Sequence, residues 1–425
     1  RTSVQEVIDL YNAGEFYTGM WQPGDWVVDS VGSLATIYVP ASYYYYAYYP
    51  VVVRKTNDSG GYPAGTLRGG TPGDGYEIWT QVRDAGLRFL ITTITTTYSQ
   101  ICTSPRVMSG SICTLPPETP DPKKNLANSC NAVGNPSNAA TGNKYQYERS
   151  YTDMGLFPLH VERIYNGGPT EFPLPGSNWR VTYDRSIEFV TNGLISTATV
   201  KRADGKQYYY NLVSGSWVGD DDVVGALAQL FDTTVTPAVP AGWTYTNTHD
   251  EVERYDAVGK LLSIVDRNGH AQVLAYDAAG RLYAVTDDTG RQLVFGYDAN
   301  NRIATVTDPV GGVITYGHDA IGNLTSVTYP DGKSKTYHYN ELENTSGADL
   351  PHALTGITDE NGDRYATYQY HADGRVISTG HANGADLHTL TYNSDGSTTV
   401  TDPLGTQRTH NFTTILGVIK STGQS

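Results

Sequence analysis

YDAVGKLLSIVDRNG from Tyr255, YDAAGRLYAVTDDTG from Tyr276 and YDANNRIATVTDPVG from Tyr297 repeat one pattern at a step of 21 residues. A fourth block, HDAIGNLTSVTYPDG, puts His318 in the tyrosine slot, and Tyr339 keeps the step. Tyr370 and Tyr392 follow after an insertion of ten residues. A fixed period of this length marks a repeat architecture. Each unit reads as one β-hairpin. The first turn runs from Asp to Gly259, Gly280, Gly322 or Gly374. The second closes at Gly269, Gly290, Gly311 or Gly332. Asp opens such turns by bonding its own backbone, and Gly supplies the left-handed position. Between the turns, alternation predicts one face from Leu261, Ser263 and Val265, and again from Leu282, Ala284 and Thr286. The recurring tyrosines are expected to stack between successive hairpins, so their loss should destabilise rather than inactivate.

The segments YDAAGRLYAVTD and YDANNRIATVTD resemble the YD repeat of the RHS (rearrangement hot spot) family. Val133 to Gln146 and Phe157 to Asn166 are similar to the stretch that precedes the repeats in many bacterial RHS proteins. The resemblance covers about 130–413, whereas 1–125 match no named family. It implies a spiralling sheet of hairpins forming part of a hollow shell. It also implies a shell that encloses or presents a variable C-terminal segment, often a toxin, and export to the cell surface or the medium. The expected function is a secreted structural shell or carrier with no catalysis in these residues. Its partners would be its own C-terminal cargo or further copies of itself, with glycans or a secretion apparatus as others.

Composition points the same way. The chain has 425 residues, 45 Gly and 33 Tyr, and only 17% charged residues, a β-rich balance. A net charge of −15 argues against nucleic-acid partners, and no apolar run is long enough for a membrane-spanning helix. The chain opens at Arg1 without Met and stops just after a repeat, so a trimmed N-terminal part of a longer protein is expected.

Four regions follow: an adaptor or assembly module (1–101), a Pro/Ser/Cys linker (102–130), a β region preceding the repeats (131–254) and the repeats (255–425). A capping box at Ser3 to Glu6 predicts one short helix stopping at Gly14. Strands are expected at 26–28, 35–39, 51–53 and 89–98, and at 159–165, 180–183, 186–190, 197–200 and 207–210. One or two helical turns are expected at 222–231. The region 145–250 is expected to open the same sheet that the repeats continue.

Tyr43, Tyr44, Tyr45, Tyr46, Tyr48 and Tyr49 form the oddest local feature. A strand at a domain contact, a self-assembly surface and a sugar-stacking surface are all open readings. The last two carry the alternative function, a cell-surface adhesin or filament subunit. Cys102 and Cys113 have a spacing that suits a local loop disulfide, with Cys130 left over, although sequence does not choose the pairing.

Catalytic patterns are weak. Asn57-Asp-Ser-Gly-Gly61 is similar to the nucleophile segment of trypsin-like proteases, but the first histidine is His160, on the wrong side of the serine. Asp220 to Asp222 and the Asp-rich turns supply too few converging oxygens for calcium, so no metal or cofactor is expected. His249-Asp-Glu-Val-Glu253 reads as a solvent face. Thr401-Asp-Pro-Leu-Gly405 resembles the Asp-Pro-x-Gly motif that ends RHS shells, but it falls in the second-turn slot and reads as a turn. Any autoproteolytic motif would lie past Ser425.

Overall fold

The computed structural model describes residues 119–127, 131–168, 178–191 and 196–425, together with the backbone of strands between 26 and 114. The chain divides into two units. The first holds residues 1–103, and the second holds 112–191 and 195–425.

In the first unit, strands Trp26–Val31, Val51–Lys55, Leu67–Gly73, Glu77–Gln81 and Arg88–Thr92 form an antiparallel five-stranded sheet. Thr36–Tyr38 pairs separately with Tyr46–Tyr48, so Tyr46 and Tyr48 lie on a strand. The expected helix at 3–14, Tyr43 to Tyr45, Tyr49 and Cys102 fall outside the described residues. Cys113 lies on the strand Ile112–Thr114, and the proposed disulfide also falls outside what is described.

The second unit is built on one antiparallel sheet of 18 strands, from Ala226–Asp232 to Val418–Gln424, each paired with its neighbours in sequence. The expected helical turns at 222–231 are thus corrected: Ala226–Asp232 is the sheet's first strand, paired with Val239–Thr246. The strands up to residue 219 do not join this sheet either, apart from a single bridge between Ser186 and Lys260. Strands from Ala132–Val133 to Trp179–Val181 form a five-stranded sheet, and those from Ser186–Thr191 to Ser216–Gly219 a four-stranded one. Only the part of the pre-repeat region after residue 225 opens the repeat sheet.

Within each hairpin the expected strict alternation fails. Leu261 and Ile264 are buried, as are Leu324 with Val327 and Leu354 with Ile357, whereas Ser263 and Val265 are only half-buried. The cause is a β-bulge in every unit but the last, where Tyr392 pairs with Thr398 in unbroken register. Arg254 faces Ser263 but the next residue, Tyr255, faces Leu261, leaving Leu262 unopposed. The same shift precedes Tyr276, Tyr297, His318, Tyr339 and Tyr370. One extra residue moves the rest of the strand to the other face and re-aims the side chains beside it. The returning strand carries no bulge at its centre, and Leu293 and Phe295 alternate as expected.

The long sheet wraps around the segment that precedes it. Thr398 Oγ1 donates to Ala139 O at 2.8 Å and Val376 N donates to Gly142 O at 3.0 Å. Leu354 N donates to Tyr165 Oη, Arg163 Nη1 donates to Tyr337 Oη, and Gln272 Nε2 donates to Pro158 O. The shared core joins Leu159, Val161 and Tyr165 with Ile187 and Tyr210, and then with repeat residues from Leu261 to Val376.

The two ends of the sheet meet on one side chain. Lys124 Nζ pairs with Asp222 at 2.6 Å and Asp220 at 2.8 Å, just before the first strand. The same ammonium donates to Leu416 O at 2.9 Å, in the last hairpin. Asn125 brackets that hairpin as well. It donates to Gly417 O at 2.7 Å and accepts from Ile419 N at 2.9 Å. The strap 121–125 thus fastens the loop before the first strand and the last hairpin to each other, although the sheet itself stays open.

Candidate functional site

The repeat tyrosines form a ladder whose rungs are hydrogen bonds, not simple ring stacks. Tyr276 Oη donates to Leu261 O at 2.6 Å, Tyr297 to Leu282 O at 2.8 Å and Tyr339 to Leu324 O at 2.8 Å. Tyr370 and Tyr392 repeat the bond to Leu354 O and Val376 O. Each hydroxyl thus satisfies a backbone acceptor of the preceding hairpin, beside the bulge, where the ladder of backbone bonds is interrupted. Burial pushes the Tyr297 phenol up to about 12, so it stays a donor at any physiological pH. Tyr255 is the exception in partner: its hydroxyl donates to the Glu253 carboxylate at 2.5 Å.

At three rungs the residue after the first turn adds a cation over the ring. Lys260 lies 4.7 Å over the Tyr276 ring, Arg281 4.7 Å over Tyr297, and Arg375 4.2 Å over Tyr392. The turn aspartate holds this cation in place. Asp277 accepts from Arg281 Nε at 2.8 Å, and from the backbone N–H groups of Ala279 and Arg281. Those bonds lower the Asp277 carboxyl below the usual aspartate range. Gly259, Gly269, Gly280, Gly290, Gly311, Gly322, Gly332 and Gly374 all occupy the left-handed region, with φ between 79° and 96°. The aspartates of these turns thus bond to their own loops. Asp220 and Asp222 are committed to Lys124. Among the described residues no group of three His, Cys, Asp or Glu side chains is placed to hold a metal ion.

Two buried ionic networks join spine to sheet. Glu253, expected on a solvent face, is fully buried between Arg185, at 2.5 Å, and Arg202, at 2.6 Å. Burial alone would raise its carboxyl, but the two guanidiniums and Tyr255 hold it down at about 2. The second network centres on Glu148, which pairs with Lys335 at 2.9 Å and lies 4.0 Å from Arg163. Lys144 is buried nearby, its ammonium 4.2 Å over the Tyr368 ring and its pKa well below the usual lysine range through desolvation.

Histidines are dispersed: His338 bonds Thr358 Oγ1, His371 lies beside Asp373, and His388 lies beside Asp386. His318 takes the tyrosine slot but makes no rung. A cleft of about 600 Å³ lies beside Tyr276 and Tyr297, and a second of about 250 Å³ lies beside His318. Sequence reading missed the rungs, the bulges and both clefts. The usable signal was the pairing of a basic residue after each first turn with the tyrosine 16 residues later, and the apolar i, i+3 spacing.

These features define a β-hairpin repeat protein whose sheet is wound on an internal spine. The model of the family described as RHS Repeat matches residues 255–292, 297–334 and 318–345, and that of a domain of unknown function, DUF6531, matches 134–210. Residues 255–345 of the chain thus carry RHS/YD repeats. No curated protein matches it. Among solved structures it is similar to a crystal structure of TcdB2-TccC3-Cdc42, at 13% identity and TM-score 0.25, over 90% of this chain and 24% of that one. It is also similar to a Photorhabdus luminescens Tc holotoxin pore, at 14% identity and TM-score 0.22, over 89% of this chain and 20% of that one. The chain spans about a quarter of the length of the first of these.

Proposed function

We propose that this chain is the fastened starting end of an RHS-type carrier, a structural shell that encloses or presents a C-terminal segment continuing from its last strands. The observation that carries this reading is the one strap that ties both ends of the repeat sheet, through Lys124, to the segment it packs on. Strand Val418–Gln424 pairs on one side only, with Gln407–Ile415, so further hairpins can add along it. The family match over the repeats supports the assignment. The residues described here hold the scaffold and perform no catalysis in this reading, no cofactor is required, and the setting is the cell surface or the medium. Intact mass and peptide mapping of the native protein test it. Peptides that continue past Ser425 into further repeats and a protease-protected tail are expected. A native chain ending near Ser425 would overturn the carrier reading.

A further inference from the structure

The 250 Å³ cleft lies where one rung of the ladder is missing. By the spacing of the other rungs, a tyrosine at 318 would donate to Ile303 O and lie under Arg302. His318 is shorter, and Asn323 stands where other repeats place the basic residue. Ile303, Arg302 and His318 all line the cleft, with Trp179, Val306 and Leu324 as apolar wall. Arg302 turns instead to Asp298 and to Asp319 O.

Two buried donors line the same space unsatisfied. The Tyr316 hydroxyl, on a side chain 6% exposed, has no hydrogen-bond partner. Ser150 is the nearest group that could pair with it, but its hydroxyl is taken up by Arg163 Nε at 2.8 Å and makes no bond of normal geometry to Tyr316. Arg163 Nη2 is likewise buried without a hydrogen bond. Its closest carboxylate, Glu148 at 4.0 Å, is engaged by Lys335 at 2.9 Å. The guanidinium is enclosed by the rings of Trp179, Tyr337 and Tyr316 at 5.3 to 5.8 Å. No carboxylate lines the cleft. A desolvated donor pair with surplus positive charge recruits an anion, and the vacated ring slot with apolar walls recruits a planar ring.

We infer that the cleft at His318 is a binding site for a small aromatic carboxylate, its ring taking the place of the absent tyrosine and its carboxylate accepting from Tyr316 and Arg163. The inference is independent of the carrier reading. It is tested by calorimetric titration of the full chain with benzoate, benzyl alcohol and acetate. Benzoate is expected to bind, with the alcohol and acetate weaker by about tenfold or more, as loss of a charged partner or of the ring predicts. His318→Tyr, which rebuilds the rung, should lose benzoate binding by about tenfold or more while melting no lower than the parent. His318→Phe fills the same slot without the hydroxyl and must also lose binding. Absence of benzoate binding, equal binding of either control ligand, or binding retained in a folded slot-filling variant would each overturn the inference.

Discussion

At the scale of single residues, the repeat tyrosine acts through its hydroxyl as well as its ring. Tyr276→Phe should cost about 1 kcal/mol, the net worth of one hydrogen bond, and Tyr276→Ala about 3–5 kcal/mol, as for other buried aromatics. Urea denaturation separates the two. The turn glycines are not equivalent. A Cβ on Gly259 would sit 1.8 Å from Ile187 O, in a backbone at φ +86°, whereas around Gly269, at φ +91°, the space is open. Gly269→Ala should therefore cost only the left-handed strain, about 1–2 kcal/mol, and Gly259→Ala clearly more, because spine and sheet must separate. Equal melting temperatures for the two variants would contradict this. Glu253 gives a pH prediction. Its folded pKa of about 2 lies below the ordinary 4.5. Its stabilisation is therefore present above pH 4.5 and is lost as pH falls from there toward 2. The shift corresponds to about 3 kcal/mol. Glu253→Gln should flatten that acid limb in denaturation curves recorded against pH.

At the scale of the hairpin, the period of 21, the turn chemistry and the strand count were legible, because each depends on local residue types such as Asp256 and Gly259. The face assignment was not. Bulges do not announce themselves in a two-residue alternation, and Ser263 was placed inward where Ile264 belongs. The strand Ala226–Asp232 was misread as helical because Ala, Leu and Gln favour helices locally. Pairing with Val239–Thr246 overrides that preference. Among the described site residues, the tyrosines and glycines were found from sequence. Arg163, Arg185, Arg202 and Glu253 were not, because their meeting depends on the spine folding back across more than 50 residues.

For the whole molecule, the decisive contact is the strap. Lys124→Ala removes the ammonium that joins Asp220 and Asp222 to Leu416 O. The cost should be about 1–3 kcal/mol, and it should fall unevenly. Hydrogen exchange should quicken in the end hairpin Gln407–Ile415 and Val418–Gln424 while the hairpins between 261 and 339 keep their protection. Uniform loss of protection would mean that the strap supports the whole sheet and not the fastening of its ends.

That fastening also orders events in time. Lys124 and Leu416 are 292 residues apart, so on the ribosome the fastening is synthesised long before the hairpin it holds. The spine emerges first and must wait for its wrapping, hairpin after hairpin. Until residue 419 has been made, Asn125 lacks at least one of its two partners in the last hairpin, and no earlier state of the chain can supply both. The strap therefore reports completion: a chain halted partway through this array keeps its first turns but cannot lock, and is left open to proteolysis.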